Sequence, residues 1–156
     1  MQRHAAVLVT GMSGVGKTTS LEALARRGFS TVDTDDEGWI DIVAGEPLWR
    51  EALIATLLER PRTAPLFIAG TVANQGAFYA RFDAVVLLSA PSAVAFARTN
   101  NPFGKSEVQR RQIARDMVEV EPLLRQAATH EIVTVCSPDE VVETLVDIAT
   151  TVPLIS

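Results

Sequence analysis

The stretch LVTGMSGVGKTT, residues 8–19, joins a short apolar run to the beginning of an amphipathic segment. From Gly11 to Thr18 it matches the pattern G-x-x-x-x-G-K-[ST] at every fixed position. When this pattern follows a strand and opens a helix, it forms a P-loop, whose backbone N–H groups and helix N-terminus surround the phosphates of a nucleotide. The stretch therefore predicts a nucleoside-triphosphate site.

The pattern also predicts what individual residues of the loop do. Lys17 is expected to reach the β- and γ-phosphates, and the hydroxyl of Thr18 is expected to bind Mg²⁺. The other predicted nucleotide contacts are Gly11, Ser13, Gly14, Val15, Gly16 and Thr19. ATP and Mg²⁺ are therefore the expected cofactors.

Apolar runs and longer amphipathic segments alternate along the rest of the chain. The apolar runs are residues 5–10, 29–33, 65–70, 84–90 and 131–136, and the expected helices are 17–27, 46–60, 91–98, 106–127 and 138–151. Near-continuous apolar strands separated by helices are typical of a parallel sheet that is covered on both faces. Residues 1–156 are predicted to form a single three-layer α/β/α domain.

The composition limits the classes of function. The chain has 156 residues and a net charge of −5, whereas general nucleic-acid binding needs a basic excess. No apolar run approaches the roughly 18 residues that a membrane span requires, and the only cysteine has no partner for an intrachain disulfide. We therefore expect a cytoplasmic protein with neither nucleic acid nor membrane as a partner.

A cluster of acids follows the second predicted strand in the sequence STVDTDD, residues 30–36. Asp33 and Asp35 have a D-x-D spacing at the carboxyl end of that strand, where open α/β sheets bind their ligands. The alternative is a solvated turn before a helix. Asp36 and Glu37 are expected at the surface.

Together these motifs resemble the small P-loop kinases that phosphorylate metabolites, among them shikimate kinase, gluconate kinase and the nucleoside-monophosphate kinases. VDTDD (32–36) is similar to the shikimate-kinase D-x-D, GEPLWR (45–50) to its G-E-x-x-F-R, and PLFIAGT (65–71) to its third strand. The resemblance implies a P-loop NTPase fold with a five-stranded parallel sheet in the order 2-3-1-4-5. It also implies a lid between strands 4 and 5, at about residues 99–120, and a monomer as the default.

The resemblance implies roles on the acceptor side. Asp33 would support Mg²⁺ and act near the transferred phosphoryl group, Asp35 would hold the acceptor hydroxyl, and Arg50 would bind the substrate. Arg50 has an alternative, an ion pair with Glu46 on the wet face of helix 46–60. The neighbouring Trp49, like Trp39, fits either a substrate pocket or the core.

The resemblance also implies basic residues around the nucleotide. Arg98 would stack on adenine through a cation–π contact. Arg110, Arg111 and Arg115 are candidates for lid arginines that neutralise the transferred phosphoryl group, and positions 111 and 115 share a helical face. The alternative is a solvated amphipathic helix with Asp116 and Glu119 as counter-charges.

Two departures from the shikimate kinases weaken the case for shikimate itself. The triple glycine is replaced by Gly70-Thr71-Val72, and Glu119 and Glu121 stand where a second substrate arginine is expected. Gly70 remains a predicted substrate contact. Asn74 and Gln75 are predicted either to bond the edge of a base or to form a polar turn.

Three functions are compatible with these features. The first is a kinase that phosphorylates a hydroxyl of a small metabolite, with Lys17, Asp33, Arg111 and Arg115 as catalytic residues. The second is a nucleoside or nucleoside-monophosphate kinase. The third is a regulatory nucleotide-binding module, which the absent Walker-B acid and the absent N-K-x-D sequence disfavour. The acids favour a hydroxyl acceptor over a phosphate, because like charges repel.

Overall fold

The structure is a computed structural model that describes residues 4–11, 16–36, 38–89, 120–134 and 137–153. The predicted helix 91–98, most of helix 106–127, the proposed lid up to residue 119 and the end of the last predicted strand lie outside these residues. In chain order the strands are β1 (Ala6–Thr10), β2 (Ser30–Asp33), β3 (Ile40–Val43), β4 (Glu46–Trp49), β5 (Leu66–Ala69), β6 (Ala84–Ser89) and β7 (His130–Val133). The α-helices are α1 (Lys17–Arg26), α2 (Glu51–Glu59), α3 (Glu121–Ala127) and α4 (Pro138–Thr151), and Gln75–Arg81 is a 3₁₀ helix.

Five parallel strands form the main sheet, in the order β2-β5-β1-β6-β7. Counted along the chain within this sheet alone, the order is 2-3-1-4-5. The predicted five-stranded sheet and its strand order are therefore confirmed. The three interior strands, β5, β1 and β6, carry only buried residues, as expected for strands covered on both faces.

Alternate residues of the strands enter two separate cores. On one face, Val7 and Val9 pack in a cluster with Leu24 of α1 and Leu145 of α4. On the other face, Ala6, Leu8 and Ile68 pack in a second cluster with Trp49, Ile54 and Phe78. Side chains of a strand alternate between the faces of a sheet, so one apolar run contributes to both layers.

Local signals in the sequence explain where several helices begin and end. Gly28 follows α1 with a φ of +93°, a left-handed conformation that glycine adopts without strain. Ser137 caps α4 as predicted, since its hydroxyl accepts a hydrogen bond of 3.3 Å from the backbone N–H of Glu140. Among the described residues, no helix has the length and apolarity to cross a bilayer.

The prediction of one helix over 46–60 is wrong for its first residues. Residues 46–49 form β4, which pairs antiparallel with β3, and α2 begins only at Glu51. The turn between the two strands consists of Ala44 and Gly45, with φ values of 53° and 79°. Two consecutive residues with positive φ match the twist of a tight hairpin, so the chain reverses here and residues 46–49 pair with β3 instead of starting a helix.

An ion-paired cluster attaches α3 to the edge strand β7. Arg125 donates to Glu131 at 2.7 Å and to Glu121 at 3.0 Å, and the hydroxyl of Ser89 donates to Glu131 at 2.7 Å. The hydrogen bonds from Arg125 and Ser89 lower the pKa of Glu131 below its ordinary value of 4.5. The charged form of Glu131 therefore stabilises the fold.

We expect Glu131→Gln to lower the free energy of unfolding at pH 7 by about 1 kcal/mol, because solvent screens the half-exposed Arg125. A carboxyl group whose pKa is lowered by folding stabilises above its ordinary pKa, and this contribution is lost as the pH falls through the folded value. The difference between variant and wild type should therefore shrink below pH 4.5. Urea unfolding between pH 3 and 7 measures it.

The matched control is Glu143→Gln, which removes an exposed pair between Arg27 and Glu143. Exposed pairs contribute little, so this variant should unfold like the wild type at every pH. A Glu131→Gln difference that stays constant with pH would contradict a contribution from the charged carboxylate.

Candidate active site

The P-loop begins and ends at the carboxyl edge of the sheet. Gly11 directly follows β1, and Gly16, with a φ of +95°, directly precedes α1. The predicted nucleotide contacts Ser13, Gly14 and Val15 lie outside the described residues, as do Arg98, Arg111 and Arg115. The described part shows the loop's two ends and the first turn of α1, where Lys17, Thr18 and Thr19 lie.

Lys17 points back towards the beginning of the loop. Its ammonium group donates hydrogen bonds to the backbone oxygen of Gly11 and, at 3.0 Å, to Oγ1 of Thr71. Burial lowers the pKa of Lys17, and the carboxylates of Asp35 and Asp33 oppose this effect by favouring the charged form. The lysine is thus held at the mouth of the loop beside two acidic groups.

The two residues predicted to hold the metal ion lie side by side. The hydroxyl of Thr18 donates to Oδ2 of Asp33 at 2.9 Å, and the backbone N–H of Asp35 donates to Oδ1 of the same carboxylate at 3.1 Å. A hydroxyl and a carboxylate are hard oxygen donors, which suit Mg²⁺ when nucleotide phosphates and water complete its shell. In the part of the chain that the structure describes, no cluster of three or more His, Cys, Asp or Glu side chains forms a metal site without a nucleotide.

Asp33 and Asp35 are separated by a residue that faces the core. Thr34 is fully buried, and its hydroxyl donates to the backbone oxygen of Ala69 at 2.7 Å and accepts from Nε1 of Trp49 at 2.9 Å. Asp35 is exposed, whereas Asp33 is half-buried. The buried threonine anchors the turn from which both aspartates extend.

Gly70 lies under the indole ring of Trp49. A Cβ atom at position 70 would overlap Oγ1 of Thr34 and would lie 3.1 Å from two atoms of the indole. Trp49 is 2 % exposed and belongs to the core, which was one of the two alternatives that the sequence left open for it. Trp39 packs against the same cluster. The close approach of these side chains therefore requires a glycine at position 70, whether or not a substrate contacts it.

We expect Gly70→Ala to lower the free energy of unfolding by about 1–3 kcal/mol, because Thr34 and Trp49 must move to admit the methyl group. The control is Gly76→Ala, whose added Cβ would approach other atoms no closer than 3.6 Å. Thermal unfolding of both variants, followed by circular dichroism, measures the difference. Equal stabilities would contradict the packing explanation for Gly70.

Asn74 and Gln75 are bonded within the protein. Oδ1 of Asn74 accepts from the backbone N–H of Trp49 at 2.9 Å, and its Nδ2 donates to the backbone oxygen of Trp49 at 3.0 Å and to Glu51 at 3.1 Å. Gln75 is 2 % exposed, and its amide bonds Val72, Thr10 and Tyr79. These contacts give both residues a structural role, and they occupy the groups that would read a base.

Arg50 precedes α2 rather than lying within a helix. Its Nε lies 3.1 Å from Oδ1 of Asp41, across the β3–β4 hairpin. The alternative, a pair with Glu46 on a helix, is wrong, because residue 46 belongs to a strand and the spacing of a helical turn does not apply; the role of Arg50 in substrate binding stays a prediction. The positive charge of Arg50 is balanced by Asp41, and both side chains are about half exposed.

Thr71 had no predicted role, although it follows the strand next to the P-loop strand. Its hydroxyl donates to the backbone oxygen of Gly11 at 2.6 Å and lies 3.1 Å from the hydroxyl of Thr10. The position of a polar residue just after β5 was the only sequence signal, since parallel strands end at the same edge of a sheet.

No family model and no curated protein matches the sequence of the chain. The fold, however, is similar to that of solved kinases. A shikimate kinase from Acinetobacter baumannii, in complex with shikimate, superposes with a TM-score of 0.69 at 21 % identity, over 95 % of this chain and 94 % of that one. A shikimate kinase from Bacteroides thetaiotaomicron gives a TM-score of 0.64 at 18 % identity, over 92 % and 97 % of the two chains.

A gluconokinase from Sinorhizobium meliloti 1021 gives a TM-score of 0.57 at 17 % identity, over 94 % of this chain and 92 % of that one. At such identities the likeness shows a shared fold. The chain has the three-layer α/β fold of these small P-loop kinases along nearly its whole length, as its motifs predicted.

Proposed function

We propose that the chain is a small-molecule kinase that transfers the γ-phosphoryl group of Mg-ATP to a hydroxyl of a small metabolite. The observation that carries this proposal is the hydrogen bond between Thr18 and Asp33, next to Lys17 at the mouth of the P-loop. Phosphoryl transfer needs a cation for the phosphates and oxygen ligands for a metal ion at one place. The fold shared with shikimate kinases and a gluconokinase supports the same reaction class.

In the proposed reaction, Lys17 exchanges its contacts in the loop for oxygens of the β- and γ-phosphates. Thr18 and Asp33 would hold Mg²⁺, which when bound neutralises charge on the phosphates. Asp35 orients the acceptor hydroxyl and takes its proton as the hydroxyl oxygen bonds to the γ-phosphorus. The bond from that phosphorus to the bridging oxygen breaks, and ADP leaves.

The arginines predicted between positions 98 and 115 complete the proposal. We assign Arg98 to the adenine ring, and Arg111 and Arg115 to the transferred phosphoryl group, as the resemblance implies. A closing segment with these charges would also exclude water, which protects the phosphoryl group from hydrolysis.

The charges near the acceptor side favour a neutral or cationic metabolite. Asp33 and Asp35 extend from the end of β2, and the charge of Arg50 is already matched by Asp41. An acceptor with its own carboxylate or phosphate would meet net repulsion from these groups. The amides of Asn74 and Gln75 are bonded within the protein and are not free to recognise a base. A nucleoside is therefore the less favoured acceptor.

Consumption of ATP with Mg²⁺ tests the proposal directly. The panel should contain neutral polyols, amino alcohols, gluconate, shikimate, nucleosides and nucleoside monophosphates. We expect strong stimulation by a neutral or amino polyol, and none in Lys17→Ala, which lacks the cation that binds the phosphates. Stimulation by nucleosides alone would favour the nucleoside-kinase alternative, and nucleotide binding without any stimulation would favour a regulatory module.

Asp33→Asn should lower kcat by about 100-fold or more, because the variant loses the charge that binds the metal ion and faces the transferred group. Its affinity for ADP without Mg²⁺ should stay near that of the wild type. The matched control is the exposed Asp36→Asn, which should retain full activity. A variant at Asp33 that loses thermal stability but keeps its kcat would instead indicate a structural carboxylate.

A further inference from the structure

Four polar side chains form a connected network beneath the P-loop. Gln75 donates through Nε2 to Oγ1 of Thr10 at 3.1 Å, and Thr10 lies 3.1 Å from Oγ1 of Thr71. Tyr79 lies at the other end, with its hydroxyl 2.9 Å from Nε2 of Gln75. Thr10 and Gln75 are both buried. The network therefore runs from the 3₁₀ helix to the residues that hold Lys17.

The direction of the hydrogen bonds in this network follows from two backbone groups that it contacts, the N–H of Val72 and the oxygen of Gly11. The backbone N–H of Val72 can only donate, so the atom of Gln75 that faces it at 3.1 Å is the oxygen. The NH₂ group of Gln75 then donates to Thr10, which leaves the proton of Thr10 for Thr71. Thr71 in turn gives its own proton to the backbone oxygen of Gly11, at 2.6 Å.

Thr71 is the residue at which this network meets the loop. Its oxygen accepts from Nζ of Lys17 at 3.0 Å and from the backbone N–H of Gly11 at 3.2 Å. Together with the contacts to Thr10 and to the backbone oxygen of Gly11, the hydroxyl of Thr71 has more partners than its one proton and two lone pairs can bond at once. Both ends of the P-loop, Gly11 and Lys17, are thus hydrogen-bonded to the side chain of one residue, Thr71, which follows the neighbouring strand β5.

We propose that Thr71 is a positioning residue for Lys17: its hydroxyl holds the first peptide of the P-loop in place and keeps the lysine at the mouth of the loop, ready for the phosphates. The inference rests on the proposed function only in taking the P-loop as a nucleotide site. Thr71 replaces a glycine of the shikimate-kinase triple glycine, so this contact comes from the side chain that distinguishes the present chain.

The hydroxyl of Thr71 is well placed for this role because its other partners are fixed. When Lys17 turns to a phosphate, Thr71 still bonds both backbone groups of Gly11. Thr10 and Gln75 support it from below, and both of these side chains are buried. A preorganised partner reduces the entropy that the lysine and the loop lose when the nucleotide binds.

The affinity for Mg-ADP, measured by calorimetry, tests the proposal without any phosphoryl acceptor. We expect Thr71→Val, which keeps the shape and removes the hydroxyl, to weaken binding about tenfold, because Lys17 and the first peptide of the loop are then no longer preorganised for the phosphates. Thr71→Ser should restore the affinity to within about twofold, since it returns the hydroxyl. Thr56→Val is the matched control, because the hydroxyl of Thr56 donates within α2, to the backbone oxygen of Ala52.

A double-mutant cycle with Lys17→Ala separates positioning from general structural support. If Thr71 acts through the lysine, Thr71→Val should change the affinity of Lys17→Ala by less than about threefold. An equal tenfold loss in both backgrounds would overturn the proposal, as would wild-type affinity in Thr71→Val. Circular dichroism checks the fold, and Thr71→Ala replaces Thr71→Val if the latter does not fold.

These outcomes are distinct from failure of the proposed kinase activity. If no acceptor stimulates ATP consumption while the cycle shows the expected coupling, the kinase reaction is wrong and the role of Thr71 stands. If an acceptor is found and Thr71→Val binds Mg-ADP normally, the role of Thr71 is wrong and the kinase reaction stands. A wild-type chain that does not bind Mg-ADP would overturn both.

Discussion

The parallel pairing of β1 with β5 is the constraint on which the candidate site depends. Val9 lies opposite Ala69, and the backbone N–H of Gly70 donates to the oxygen of Val9 at 3.2 Å. With this register, Gly11 and Thr71 leave the sheet next to each other. A shift of the register by one residue would turn every side chain of β5 to the opposite face, and the hydroxyl of Thr71 could not reach the P-loop.

The pairing of β2 with β5 extends the same edge to the acids. Asp33 lies opposite Ala69, and the backbone N–H of Thr34 donates to the oxygen of Ala69 at 2.9 Å. Three adjacent strands, β1, β5 and β2, are therefore followed by the P-loop, Thr71 and the acidic turn, all at one edge of the sheet. Because the carboxyl ends of parallel strands lie at the same edge of the sheet, the pairing of the strands itself brings residues that are far apart in sequence together.

The β3–β4 hairpin is held to this edge by its last residue. Trp49 fills the space over Gly70, donates from its indole to Thr34, and is bonded through its backbone to Asn74. The tip of the hairpin is different, since Ile42 and Val43 are exposed. The anchored end also positions Arg50, whose charge is paired with that of Asp41.

The sequence by itself determined the P-loop, the alternation of strands and helices, and the parallel sheet, because each depends on signals within short windows. A glycine pattern, runs of buried apolar residues, and caps such as Ser137 act over a few positions. The D-x-D pattern likewise located Asp33, whose bond to Thr18 links two segments that the parallel sheet brings together.

Only the tertiary structure decided the hairpin and the network around Thr71. The positive φ values at Ala44 and Gly45 form the tight turn of the hairpin, and Ala-Gly is not one of the typical residue pairs of such a turn. The internal bonds of Asn74 and Gln75, the pairing of Arg50 with Asp41 and the contact of Thr71 with Lys17 all join residues distant in sequence. Polar side chains of this kind serve a ligand or the fold equally well, and only the positions of their partners distinguish the two.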